Sequence, residues 1–106
     1  MNIITLEDAR KLIEEAATTI IDVRTPEEYG EAHLERAINI DISTPDFLEK
    51  IESLDKSHPY VVYCATGGRS ARAVAEMEQR EFTAVYNLMG GISGWIRGGL
   101  PIEQNA

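Results

Sequence analysis

Short apolar runs rich in β-branched residues alternate along this chain with segments whose apolar positions recur at helical spacing. Thr19-Ile20-Ile21-Asp22-Val23, Ala37-Ile38-Asn39-Ile40, Tyr60-Val61-Val62-Tyr63 and Ala84-Val85-Tyr86-Asn87-Leu88 read as strands. The Tyr60 run is continuously apolar, as in a strand covered on both faces. Leu6, Ala9, Leu12, Ile13, Ala16 and Ala17 share one helical face behind Thr5, a cap with Asp8 three residues on. Thr25-Pro26-Glu27-Glu28 and Thr44-Pro45-Asp46 each join a capping Thr to a proline at the first helical position. The second opens a helix carrying Phe47, Leu48 and Ile51. Ser70 through Arg80 reads as a helix with Ala71, Val74, Ala75 and Met77 facing inward. Gly90-Gly91 breaks the chain before a short helical turn with Trp95, and Gly98-Gly99-Leu100-Pro101 closes it. Strands alternating with helices predict one α/β domain over 1–106, a mainly parallel sheet of about five strands with helices on both faces.

Composition narrows the partners. At 106 residues there is room for one domain and not two. Ten Lys and Arg against 18 Asp and Glu give a net charge of −8, which argues against nucleic acid and against an anionic membrane surface. The longest apolar run, Tyr60 to Ala65, falls far short of the ~20 residues that span a bilayer. The first residues lack the basic region and apolar core of a secretory signal, so a cytoplasmic location is expected. One cysteine forms no internal disulfide, and with two histidines it builds no four-ligand zinc site. Neither a metal nor a cofactor is implied. One thiol is left to explain.

In an open parallel sheet, sites form where strand-to-helix loops leave the carboxyl edge. The only such loop with a reactive side chain is Cys64-Ala65-Thr66-Gly67-Gly68-Arg69-Ser70. Taken alone, a cysteine after an apolar strand reads as core. Its place in a Gly-Gly-Arg loop ahead of a helix reverses that reading. Gly67 and Gly68 let the loop curl so that the amides of Ala65 through Ser70 point inward, and such a cradle binds anions and lowers a thiol pKa. Asp22 and Arg24 end a strand at the same edge. Ordinary strand-end bonding is the favoured role for them, with support of the loop as the alternative. His33 reads as a structural, hydrogen-bonded histidine, His58 as a loop residue, Trp95 as packing and Arg72 as solvated. The acids Glu7, Asp8, Glu14, Glu15, Glu49, Glu52 and Asp55 read as solvated helix faces.

These residues carry a resemblance. The Cys64–Ser70 run resembles the active-site loop of the rhodanese-homology sulfurtransferases. Asp22-Val23-Arg24 with Glu27-Glu28-Tyr29, His33-Leu34-Glu35-Arg36-Ala37-Ile38-Asn39-Ile40, and Asn87-Leu88-Met89-Gly90-Gly91 through Trp95 with Gly99-Leu100-Pro101 are similar to three further signatures of that family. One departure stands out: Arg36 replaces the family's usual glycine, at a turn where a positive φ strains any other residue. Four residues separate Cys64 from Arg69, the length that in the resemblance goes with sulfur transfer. A five-residue spacing goes with the related dual-specificity phosphatases and arsenate reductases.

The resemblance implies a single rhodanese domain of the thiosulfate sulfurtransferase type. Cys64 would take a sulfane sulfur from thiosulfate or a related donor and pass it, as a persulfide, to cyanide or to a small or protein thiol. Ala65, Thr66, Gly67, Gly68, Arg69 and Ser70 would bind the donor, with Arg69 either attracting its sulfonate or bracing the loop, and Asp22 and Arg24 in support. A persulfide carrier in a sulfur relay is the alternative. A cysteine-dependent phosphatase or arsenate reductase, and an inactive binding module, are further readings.

Overall fold

A five-stranded, all-parallel sheet organises the computed structural model, which describes residues 2–15 and 17–104. In chain order the elements are β1 (Ile3–Ile4), α1 (Leu6–Glu15), β2 (Thr19–Asp22), α2 (Pro26–Glu31), β3 (His33–Leu34), β4 (Ile38–Asn39), α3 (Phe47–Glu52), β5 (Tyr60–Tyr63), α4 (Gly68–Gln79), β6 (Val85–Leu88), α5 (Gly91–Arg97) and β7 (Ile102–Glu103). The sheet runs β1-β6-β5-β2-β4, and β3 pairs antiparallel with β7 outside it. The apolar Tyr60 run is thus the central strand, buried along its whole length.

The two-residue period of each strand divides the core. Ile21, Val23, Tyr60, Val62 and Val85 pack against Phe47 and Ile51 of α3 and Ala73, Val74 and Met77 of α4. Ile20, Val61, Tyr63 and Leu88 face the other way, onto Ala9 of α1 and Ile92 and Trp95 of α5. Helices cover both faces, as the alternating pattern predicts. Among the described residues no helix is long and apolar enough to cross a membrane.

Local differences from the sequence reading have physical causes. Thr5 accepts from the Asp8 amide at 3.1 Å, but α1 ends at Glu15, so Ala17 is exposed; Ala16 lies outside the described residues. Thr25 and Glu28 form a full capping box at α2. Thr44 does not cap α3. Its hydroxyl donates to the Asp41 carbonyl at 2.9 Å, and Asp46 takes the cap position two residues later. α4 begins at Gly68 rather than Ser70. Its buried face is accordingly Ser70, Ala73, Val74 and Met77, leaving Ala71 and Ala75 only half-buried.

Arg36 does adopt the left-handed conformation, at φ 68°, with its amide donating to Glu103 Oε1 at 2.8 Å. The turn keeps the backbone path a glycine would take, and the arginine carries the strain. Arg36→Gly should therefore raise stability by about 0.5–1 kcal/mol, a few degrees in Tm. Thermal unfolding checks this; an unchanged or lower Tm contradicts it.

Candidate active site

The loop after β5 turns more tightly than its sequence suggests. Only four residues, Cys64 to Gly67, separate the strand from α4, and Gly68, Arg69 and Ser70 form the helix's first turn. Gly67 is the N-cap and sits at φ 137°, a conformation open essentially to glycine; Gly68 has no positive φ. With that geometry the Gly67 amide points back and donates to Cys64 Sγ at 3.1 Å. Ser70 Oγ lies 3.3 Å from the same sulfur. α1 and α2 fill their positive N-terminal turns with acids, whereas α4 has none and no capping side chain. Its N-terminal field is left for the sulfur.

Cys64 is 2% exposed and packs among core residues, so the thiol is both part of the core and the centre of the loop. Burial pushes the thiol pKa up. The Ser70 hydroxyl and the amides of Ser70, Gly67 and Thr66 outweigh it, and the thiol titrates below its ordinary value. Thr66 and Gly68 form the exposed rim, and Ala65, Gly67 and Arg69 are half-buried.

The loop is clamped from behind by α5. The Ile92 and Ser93 amides donate to the carbonyls of Cys64 and Ala65 at 3.0 and 3.2 Å. Gly91, at φ 56°, makes this approach possible, since a Cβ there would lie 2.5 Å from both carbonyl oxygens.

Arg69 is engaged by Glu28. Its Nη1 and Nη2 donate to Glu28 Oε1 and Oε2 at 2.8 and 3.1 Å, a two-pronged pair across 41 residues of sequence. Glu28 Oε1 also accepts from the Thr25 amide, so one carboxylate ties the α2 cap to the loop. The Arg69 guanidinium holds this carboxyl well below the usual range, at about 2. Glu28 carried no site role in the sequence reading.

Asp22 and Arg24 meet each other rather than the loop. Arg24 Nη2 donates to Asp22 Oδ2 at 2.8 Å and also to the Ala32 carbonyl, with Asp22 fully buried and Arg24 6% exposed. Tyr63, the residue before the cysteine, donates its hydroxyl to Asp22 Oδ2 at 2.7 Å. Support of the loop is therefore indirect, through the end of β5. His33 stacks on Tyr29 and bonds its carbonyl, Trp95 donates to the Pro101 carbonyl, and Arg72 is exposed. All three are structural or solvated, as expected.

A short strand, a glycine-capped helix and one sulfur held by backbone and hydroxyl donors now stand beside the comparisons. The rhodanese-like domain model matches residues 5–97. The chain belongs to the rhodanese-like domain family. It is 38% identical to "Thiosulfate sulfurtransferase 16, chloroplastic" of Arabidopsis thaliana, over 78% of each chain. It is 31% identical to a sulfurtransferase of Allochromatium vinosum, covering 89% of this chain and 86% of that one. The crystal structure of a rhodanese-related protein from Thermoplasma volcanium superposes with a TM-score of 0.87 at 35% identity, covering 97% and 98%. These relatives support a sulfurtransferase family role for this rhodanese-like domain. Its closing signature also brings in a residue that the sequence reading gave no role, Asn87, which lies 2.6 Å from Ser70 Oγ.

Proposed function

We propose that this rhodanese-like domain is a thiosulfate sulfurtransferase in which Cys64 carries the sulfur. The observation that supports this most is the Cys64 sulfur itself, held by an amide at 3.1 Å at the start of a helix whose first turn carries no acid. The Cys64 thiolate attacks the outer sulfur of thiosulfate; the S–S bond of the donor breaks and sulfite leaves with its electron pair. A new S–S bond makes the Cys64 persulfide. Cyanide, or a small or protein thiol, then attacks the terminal sulfur and returns the Cys64 thiolate. The Thr66, Gly67 and Ser70 amides stabilise the Cys64 thiolate that attacks the donor and is regenerated by the acceptor. The setting we propose is the reducing cytoplasm, where a lone thiol persists. Steady-state thiosulfate:cyanide assays of Cys64→Ser check the reading: loss of turnover is expected, and wild-type turnover overturns it.

Arg69 in this reading is a brace. Its guanidinium is committed to Glu28, so Glu28→Gln should loosen the loop and lower kcat by about five- to tenfold, on the order of 1 kcal/mol, with little change in KM. A lower KM at unchanged kcat would instead mark Arg69 as a donor-binding cation. The same pair has a pH signature. Glu28 has a folded pKa near 2, below its unfolded value. Its contribution is present above the unfolded pKa and is lost as pH falls through the folded one. The stability gap between wild type and Glu28→Gln should thus be open at pH 7 and close toward pH 2. With both side chains about one-third exposed, screening keeps that gap small.

A further inference from the structure

Ser70 has one hydroxyl proton and three neighbours that accept it. Asn87 Oδ1 lies at 2.6 Å, the Gly67 carbonyl at 3.1 Å and Cys64 Sγ at 3.3 Å. Ser70 is fully buried and Asn87 is 6% exposed, so water does not readily replace any of these bonds. In the arrangement seen, the proton belongs to Asn87 as the nearest acceptor, and Ser70 Oγ is free to accept the Cys64 S–H. That is the hydrogen bonding of a neutral thiol. A sulfur anion has no proton to give, and Ser70 stabilises it only by turning its own proton toward sulfur. Asn87 Oδ1 would then face the Ser70 oxygen at 2.6 Å with no proton between them.

Rotating the Asn87 amide by half a turn removes the conflict, because Nδ2 then donates to Ser70 Oγ. The rotation replaces a long contact, Asn87 Nδ2 to the Gly67 carbonyl at 3.4 Å, with Oδ1 facing that carbonyl, a cost that the new Nδ2 bond to Ser70 Oγ offsets. That carbonyl stays satisfied by the Ala71 amide at 3.0 Å. The two ends of the amide have the same shape, so the exchange needs no new space.

We propose that Asn87 is a positioning residue whose side-chain amide, by the end it turns to Ser70, sets whether Ser70 accepts from the Cys64 thiol or donates to the sulfur anion. The device acts on the Cys64 thiolate, and it rests on Cys64 being the working thiol. The charged groups facing the sulfur are few among the described residues. Arg69 of α4 feels the Cys64 charge, and it is held by Glu28 of α2 and influenced by Asp22 at the end of β2. Among the described residues, none of these three side chains is hydrogen-bonded to the side chain of Asn87 or Ser70.

The test is the pH profile of Cys64 alkylation by iodoacetamide, which needs no sulfur donor and so stands apart from whether Cys64 carries sulfur. Ser70→Ala should raise the thiol midpoint by about one pH unit, the size of one hydrogen bond to a charged group. Asn87→Asp offers only acceptors to Ser70 and should raise the midpoint at least as far. In the Ser70→Ala background, the same Asn87→Asp change should lose more than half of its effect. An equal effect in both backgrounds would mean that the new charge acts directly, and would overturn the proposal. In the wild-type protein, the Asn87 side-chain amide resonances should shift with the alkylation midpoint. Resonances that stay flat across the thiol titration overturn it even if the variants fail to fold.

Discussion

Gly91→Ala should lower sulfur transfer by about 10²-fold, the usual consequence of displacing a catalytic group by roughly 1 Å. The added Cβ would stand 2.5 Å from the carbonyl oxygens of Cys64 and Ala65. Both are backbone atoms, so no side chain can swing aside, and the loop or α5 must move. The movement breaks the Ile92 and Ser93 bonds that seat the loop. It also places a non-glycine residue at φ 56°, a further cost of about 1 kcal/mol. Gly30→Ala, in α2, is the control: nothing lies within 4 Å of its Cβ and its φ is not positive. That variant should keep activity within about twofold, since an open helical site tolerates alanine. Steady-state rates of the two variants check the pair, and a Gly91→Ala enzyme near wild-type rate contradicts the clamp.

Asp22→Ala should be the most damaging change to stability, by about 3–5 kcal/mol, because it strands a buried cation. Arg24 is 6% exposed and has Asp22 as its only carboxylate partner among the described residues. Tyr63 loses the acceptor of its hydroxyl at the same time. A domain of this size has only about 5–15 kcal/mol to lose, so the variant should be marginal at room temperature. Asp22→Asn, which keeps an acceptor for both partners, should fall in between. Urea unfolding measures the series; a loss under about 1 kcal/mol for Asp22→Ala would show that water or another group takes over Arg24.

What the sequence made legible follows physical range. Short runs rich in apolar and β-branched residues mark β2, β5 and β6, the β5 run being continuously apolar, and a cap with proline marks α2. The two-residue strands β1, β3 and β7 carry no period to read; they exist because β6 and each other offer edges to pair with. α4 starts two residues before the Ser70 that the sequence suggests, because its cap is Gly67, whose role lies in a backbone angle of 137° that leaves no side-chain signal. Cys64 and its loop were visible from composition and place. The pairs that complete the site were not: Glu28 to Arg69 and Ser70 to Asn87 join residues 41 and 17 apart. One signal was there. Asn87 interrupts an otherwise apolar strand at its carboxyl end, two residues after Val85, and polar residues are rarely buried there without a partner. Arg36 shows the reverse case, in which the sequence raised the alarm and the backbone simply accepted the strain.

The most direct measurement of the central claim is intact mass after incubation with thiosulfate and removal of the small molecules. The wild-type chain should gain the mass of one sulfur atom, mapped to the peptide containing Cys64 and lost again on adding cyanide. Cys64→Ser should gain nothing. A wild-type chain that gains no sulfur, or a Cys64→Ser chain that gains as much, contradicts the account.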